Sequence, residues 1–362
     1  MNQRTILILL IFSTFLFSCK SIDKSKPEEV VKAYTQSIIN NDSKSCYDLI
    51  STKSKETVTY DEFKKVFDGN DSSGNKMVRV DNIQEQEKDF NYPTFRRFKI
   101  STTSLLEGDT IKEVFYYTLI NENNEWKKVY DATLLIVAYE KYRKGDYEGA
   151  INLCNKAIEL NPFDGFAFEK LAWCYNNSDK INNSSTREET LDKITSSLKH
   201  AMSLEPDIAS HYNAMSLYYY KVNNPDLAIE YLQKGLNLSE NKSDKSMFLA
   251  NIGLGYSIKN DLTTAKKYFS DALQIEPKYD FALYNLGNIY NKQGDFVEAI
   301  KYFERVDKDT KLADNLKAIY YSSYAQALKN VNDKQNAKEY ILKALELAPS
   351  NEYYNALYKS LK

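Results

Sequence analysis

Histidine is almost missing: His200 and His211 are the only two in a chain of 362 residues. The first 130 residues hold none, so that segment lacks the commonest acid–base side chain of neutral pH. Glycine, at 11, and proline, at 7, are scarce, which leaves long helices few interruptions. Neither sign of charge dominates. Lysine and arginine total 48 against 50 acidic residues, a net charge of −2, so no positive field draws in a phosphate backbone and nucleic acid is excluded as a partner. The four cysteines have no metal-ligand spacing. Asn75-Lys76-Met77 stands where a phosphate loop would need Gly-Lys-Ser or Gly-Lys-Thr, and neither a zincin helix nor a serine elbow occurs. The expectation is therefore no catalytic residue, no metal and no cofactor. What is abundant is tyrosine, at 29, within a hydrophobic content of 43%, the composition of a packed, mostly helical protein of more than one domain.

The first residues carry a positive charge at Arg4, then an apolar stretch from Ile6 to Phe17 too short to stay as a spanning helix. This predicts a signal peptide over residues 1–18. The closing Leu16-Phe17-Ser18-Cys19 resembles the bacterial lipobox, and the resemblance implies that Cys19 is lipidated and becomes the new N-terminus. Two or more acyl chains hold a protein at a membrane without a transmembrane helix. Residues 19–26 read as the lipidated cysteine and a polar tether. Lys20 after the cysteine is similar to the sorting pattern of outer-membrane lipoproteins, which implies the cell envelope, facing the periplasm, with surface exposure left open.

Over residues 27–130 helices give way to strands. Val30, Val31, Tyr34 and Ile38 fall at helical spacing behind Pro27; a second helix is expected through Cys46, Tyr47, Leu49 and Ile50, and a third from Tyr60 to Phe67. Residues 77–83, 95–103, 111–120 and 126–130 are rich in β-branched and aromatic residues and read as four strands. The Pro27-Glu28-Glu29-Val30-Val31 opening and the Trp126-Lys127-Lys128-Val129 strand resemble the nuclear transport factor 2-like fold, which implies a cone-shaped α+β domain with a curved antiparallel sheet around the first helix. Acidic residues such as Asp61, Asp81 and Asp89 read as caps and solvated charges.

From residue 131 the chain repeats itself at about 34 residues, most clearly in Ala282-Leu283-Tyr284-Asn285-Leu286-Gly287-Asn288-Ile289-Tyr290 and onward through Gly294 and Ala299. Starts fall at 131, 165, 209, 246, 280 and 318, with a cap over 352–362. Position 8 of each repeat is small (Ala138, Ala172, Ser216, Gly253, Gly287, Ala325), and prolines 162, 206, 277 and 349 close four of the six second helices. Repeats three and five lack that proline. The pattern resembles the tetratricopeptide repeat, which implies an all-α solenoid over residues 131–362: six helical hairpins, each too small to fold alone, stacked so that first helices line a concave face.

In that family positions 2, 5, 9, 12 and 13 face the groove. Here the resemblance implies a partner-binding set of Tyr139, Tyr142, Trp173, Asn213, Tyr220, Lys221, Tyr284, Asn288 and Lys292. Rings with amides suit an extended peptide or a partner helix. Tyrosines at helical spacing are equally core residues. The lysine with which one sub-class clamps acidic C-terminal peptides is absent from position 5, which reads Leu135, Glu169, Asn213, Ala250, Tyr284 and Ser322. The sequence thus predicts a membrane-anchored, non-enzymatic scaffold for a protein or peptide partner of the cell envelope, with self-association open. The alternative is a small-ligand-binding or enzymatic N-terminal cone with the repeats used for assembly. Cys154 and Cys174 fall on helices expected to pack together, where a free pair and a bridge are both compatible with the spacing.

Overall fold

The computed structural model describes residues 22–361 apart from 72–74, 90, 107–108, 308–309 and 311. The expected signal peptide and Cys19 lie outside the described residues. The chain divides into two compact units, one running to Val137 and including Lys156–Phe163, the other made of Ala138–Asn155 and Asp164–Lys362.

In the first unit α1 (Pro27–Ile39) starts at a proline whose missing N–H costs nothing there, and it buries Val30, Val31 and Tyr34. Helix α2 (Ser43–Asp48) is capped by Asp42, which accepts from the Ser45 amide. It ends before Leu49, and the Leu49–Ser51 backbone instead pairs with the last strand: Lys128 N donates to Leu49 O and Ser51 N to Lys128 O, each at 2.9 Å. Apolar spacing alone had extended the helix through Ile50; a free edge of the sheet claims those residues instead. Ser51 then caps a short helix absent from the sequence reading, α3 (Thr52–Thr57), followed by α4 (Tyr60–Asp71).

Strands β1 (Asn75–Glu85), β2 (Phe95–Leu106), β3 (Asp109–Glu122) and β4 (Glu125–Lys128) form an antiparallel sheet in sequential order. Each outlasts or shifts from its predicted span by a few residues because pairing with a neighbour, not propensity, sets its ends. Phe98 and Ile100, two apart and so on one face, are fully buried. They join Val30, Tyr34, Phe63, Leu119 and Trp126 in one core, where Tyr34 meets Tyr117 edge-on at 5.5 Å.

The helices that follow form six hairpins: α5 (Ala132–Arg143) with α6 (Tyr147–Leu160), α7 (Gly165–Asn177) with α8 (Arg187–Leu204), α9 (Ala209–Lys221) with α10 (Pro225–Leu238), α11 (Lys242–Ile258) with α12 (Leu262–Ile275), α13 (Asp280–Lys292) with α14 (Phe296–Phe303), and α15 (Asp314–Asn330) with α16 (Lys334–Leu347). α17 (Glu352–Lys359) follows and buries Tyr354 and Leu357. The division between the two units runs through the first hairpin.

Five of the six hairpins reverse by the same two residues. The first is left-handed: Gly145 (φ 79°), Asn223 (58°), Asn260 (61°), Gly294 (81°) and Asn332 (66°), the residue types that tolerate that conformation best. The second is Asp or Asn, and its side chain accepts from the amide three residues on, as in Asn224 from Leu227, Asp261 from Thr264, Asp295 from Glu298 and Asp333 from Asn336. The second hairpin is the exception. Its lengthened connection contains a 3-10 turn at Asp179–Ile181, and Ile181 is buried against Ile194 and Leu198, so the insertion is anchored rather than a purely solvated loop.

The small residue at position 8 is there for room. A Cβ on Gly287 would lie 2.4 Å from the Phe303 ring of its own hairpin, a distance no packing tolerates.

Candidate functional site

Within the second unit the first helices of successive hairpins are tied to one another by polar bonds. The Tyr220 hydroxyl donates to the Asn251 carbonyl at 2.6 Å, and Asn291 Nδ2 donates to the Ser323 carbonyl at 3.0 Å. Both link position 12 of one repeat to position 6 of the next. Asn251 Nδ2 reaches back to Asn213 Oδ1 at 3.1 Å, and Lys221 Nζ donates to the Asn176 carbonyl. These bonds place α7 and α9, α9 and α11, and α13 and α15 side by side, and they fix which side chains share a face.

The nine residues singled out in the sequence divide on that face. Tyr139 is 45% exposed and stacks on Tyr142 with ring centroids 6.2 Å apart. Trp173 is half-buried, with Lys170 Nζ 3.9 Å above its ring. Tyr142 and Trp173 line one small cavity of about 130 Å³ together with Asn176 and Leu217. Asn213, Tyr220 and Lys221 spend their polar groups on the inter-helix bonds above. Lys292 is exposed and Asn288 half-buried. Tyr284 is 4% exposed, in the core edge-on to Phe281, and burial pushes its hydroxyl up to about 12, so it presents little surface.

Residues the sequence reading did not select are as open as Tyr139: Leu217 at position 9, Ile258 at position 13 and Ile319 at position 2 are each exposed by 40% or more. All three fall at groove positions of the repeat, so the signal was present but was weighted toward aromatic and polar residues. Buried polar atoms on these helices also lack partners among the described residues, namely Trp173 Nε1 and the Oδ1 atoms of Asn176, Asn288 and Asn291.

A titratable cluster lies deeper. His211 is fully buried, with Nδ1 2.7 Å from Glu169 Oε2 and Nε2 3.1 Å from Glu205 Oε2. Burial pulls the imidazole down, but hydrogen bonds to both carboxylates and their charges outweigh it and raise it to about 9. Burial also raises Glu205, whereas His211 and Lys170 hold Glu169 below its usual value against its own burial. Each imidazole nitrogen is occupied by a carboxylate, so the arrangement holds structure and offers no base to a substrate.

Cys154 and Cys174 carry free thiols, both buried. A hydrogen bond from Cys154 to Cys174 raises the first and lowers the second. In the first unit a cavity of about 170 Å³ is lined by Tyr34, Phe63, Phe67, Met77 and Tyr130 among others, with no carboxylate among its described lining residues. That is below the ~300–1,000 Å³ usual for small-molecule sites. Among the described residues no cluster of three metal-ligating side chains occurs, and no helix is long and apolar enough to cross a membrane.

Residues 133–164, 209–242, 248–279, 318–351 and 281–306 match the tetratricopeptide repeat family. Photosystem I assembly protein Ycf3 of Prochlorococcus marinus (strain NATL1A) is 30% identical over 117 residues, which cover 31% of this chain and 68% of that protein. TPR repeat-containing protein MJ1428 of Methanocaldococcus jannaschii is 29% identical over 178 residues, 46% of this chain but 29% of the relative. Among solved structures, pilF of Pseudomonas aeruginosa superposes with a TM-score of 0.50 at 18% identity, over 64% of this chain and 97% of that one. The Cut9–Hcn1 hetero-tetramer gives 0.51 at 20% identity, over 64% of this chain and 42% of its counterpart. Both show a shared fold.

Proposed function

The chain belongs to the tetratricopeptide repeat family, and from that premise we propose that it is a non-enzymatic, lipid-anchored scaffold that holds a protein partner on the face of its first helices. The observation that carries this reading is the run of solvent-exposed apolar side chains on α5, α9, α11 and α15, from Tyr139 through Leu217 and Ile258 to Ile319. Such a stripe loses free energy to water until a partner covers it. The unpartnered indole N–H of Trp173 and amide oxygen of Asn176 add one donor and one acceptor, the pair that a peptide main chain complements.

Lipidation at Cys19 would keep the protein at the bacterial envelope, on the outer membrane facing the periplasm. The curated relative at 30% identity is named an assembly protein, in keeping with a partner that is itself a protein of a larger complex.

The test is capture from cross-linked envelope extracts with the full chain. The double variant Tyr139→Ala, Trp173→Ala should lose at least about tenfold of the captured partner, as loss of two interface rings entails, with helicity unchanged. Undiminished capture would place the binding face elsewhere. Cys19→Ser should move the protein from the membrane to the soluble fraction.

A further inference from the structure

The second helix of the fifth repeat stops early. α14 has 8 residues, whereas α10, α12 and α16 each have 14, and six residues of helix amount to about 9 Å of missing cover. Beside α15 and α16 a cleft of about 360 Å³ remains, within the ~300–1,000 Å³ range of small-molecule sites. Tyr321 and Tyr340 form its half-open walls, and the buried Phe303, Tyr320 and Tyr324 its floor. Tyr324 and Tyr340 have centroids 4.3 Å apart and Tyr320 and Tyr321 5.1 Å, and the Tyr320 hydroxyl donates to the Phe303 carbonyl at 3.0 Å, which pins one wall.

Among the described residues that line this cleft, Glu304, Asp307 and Glu339 accompany one cation, Lys343. Ring faces carry negative quadrupole density and attract cations within about 6 Å. The protein already uses that attraction: Lys343 Nζ lies 4.6 Å from the Tyr340 centroid and 2.8 Å from Glu339 Oε1. A strongly hydrated metal ion gains little from rings. An alkylated ammonium, weakly hydrated and greasy on its outside, gains from both the rings and the carboxylates.

We propose that the cleft between the second helices of repeats five and six is a binding site for a small organic ammonium ion of the tetraalkyl type. It lies on residues other than those of the partner-binding face, so the two readings stand or fall separately.

The experiment is saturation-transfer NMR on the full chain with tetramethylammonium as probe and tert-butanol as its uncharged counterpart. Transfer to tetramethylammonium is expected, with little or none to tert-butanol. Lys343→Met removes the resident ammonium and should tighten binding about threefold or more; Glu304→Gln with Glu339→Gln should weaken it at least fivefold, and Tyr340→Leu should abolish it, all with unchanged circular dichroism. Equal transfer to both probes, or an affinity indifferent to Lys343→Met and to the double glutamine variant, would overturn the site. Two competition arms identify the source and uphold the site in either case: displacement by free choline alone marks a dissolved cation, and displacement also by phosphatidylcholine vesicles, with none by phosphatidylglycerol, marks a lipid headgroup.

Discussion

His211 Nδ1 meets Glu169 Oε2 at 2.7 Å across 42 residues of sequence, in a place water does not reach. The other ring nitrogen is taken by Glu205, and Lys170 and Ser210 hold Glu169 at 3.2 and 2.7 Å. The carboxylate of Asp164, just ahead of α7, acts on Glu205, and the charged groups packed around the ring, Glu169, Lys170 and Glu205, all belong to the second repeat.

The first expectation concerns pH. The folded imidazole titrates near 9 against 6.5 for an unhindered one, so its contribution is complete below about pH 6.5 and is lost as pH rises through 9. The loss is on the order of 3 kcal/mol. Urea midpoints of the wild type should fall between about pH 7 and 9.5, whereas His211→Gln should start lower and change little over that window. A parallel fall in both proteins would refute the assignment.

Gly287→Ala puts a methyl group 2.4 Å from the buried Phe303 ring. Overpacking of that kind costs roughly 1–3 kcal/mol, which equilibrium denaturation will register as a lower midpoint.

At the hairpin tips side-chain volume matters less than backbone hand. Asn260 sits at φ 61°; Asn260→Gly should be neutral or mildly stabilising, while Asn260→Val, β-branched in the left-handed region, should cost about 1–2 kcal/mol. Thermal melts of the two variants side by side separate these effects.

Tyr220→Phe deletes the 2.6 Å bond to the Asn251 carbonyl and leaves the ring. A loss of about 0.5–1.5 kcal/mol is expected. Amide exchange should quicken in α11 as well as in α9, since the bond joins two repeats.

The thiols of Cys46, Cys154 and Cys174 are all buried, and burial pushes Cys46 up to about 12. Thiolate is the reactive form, so mass spectrometry after brief alkylation of the native protein should find the three peptides unmodified and, after denaturant, modified.

The repeat architecture could be read from the sequence because its rules are local. A small residue where helices cross, a left-handed residue at the tip and a capping carboxylate or amide behind it each act within a few residues. The groove was harder to read. Positions 5 and 9 put Tyr284 and Trp173 on the same kind of helix, yet one is core and the other half-open, because burial is set by tertiary packing that spacing along one helix does not encode. Glu169 stood at a groove position, and only stacking revealed that it faces inward to His211. The aromatic cleft left two faint traces, a missing proline after repeat five and a few extra residues near Asp307, but neither shows where α14 stops.

Because each of the five regular hairpins turns on its own pair of residues, reversal is a private matter for that unit and sends no strain along the row. The eleven-residue stretch 176–186 in the second hairpin is therefore bulk added at a tip, not a disturbance of the stack. A protein built this way can grow fresh recognition surface at any hinge of its zigzag while the remaining units keep their register.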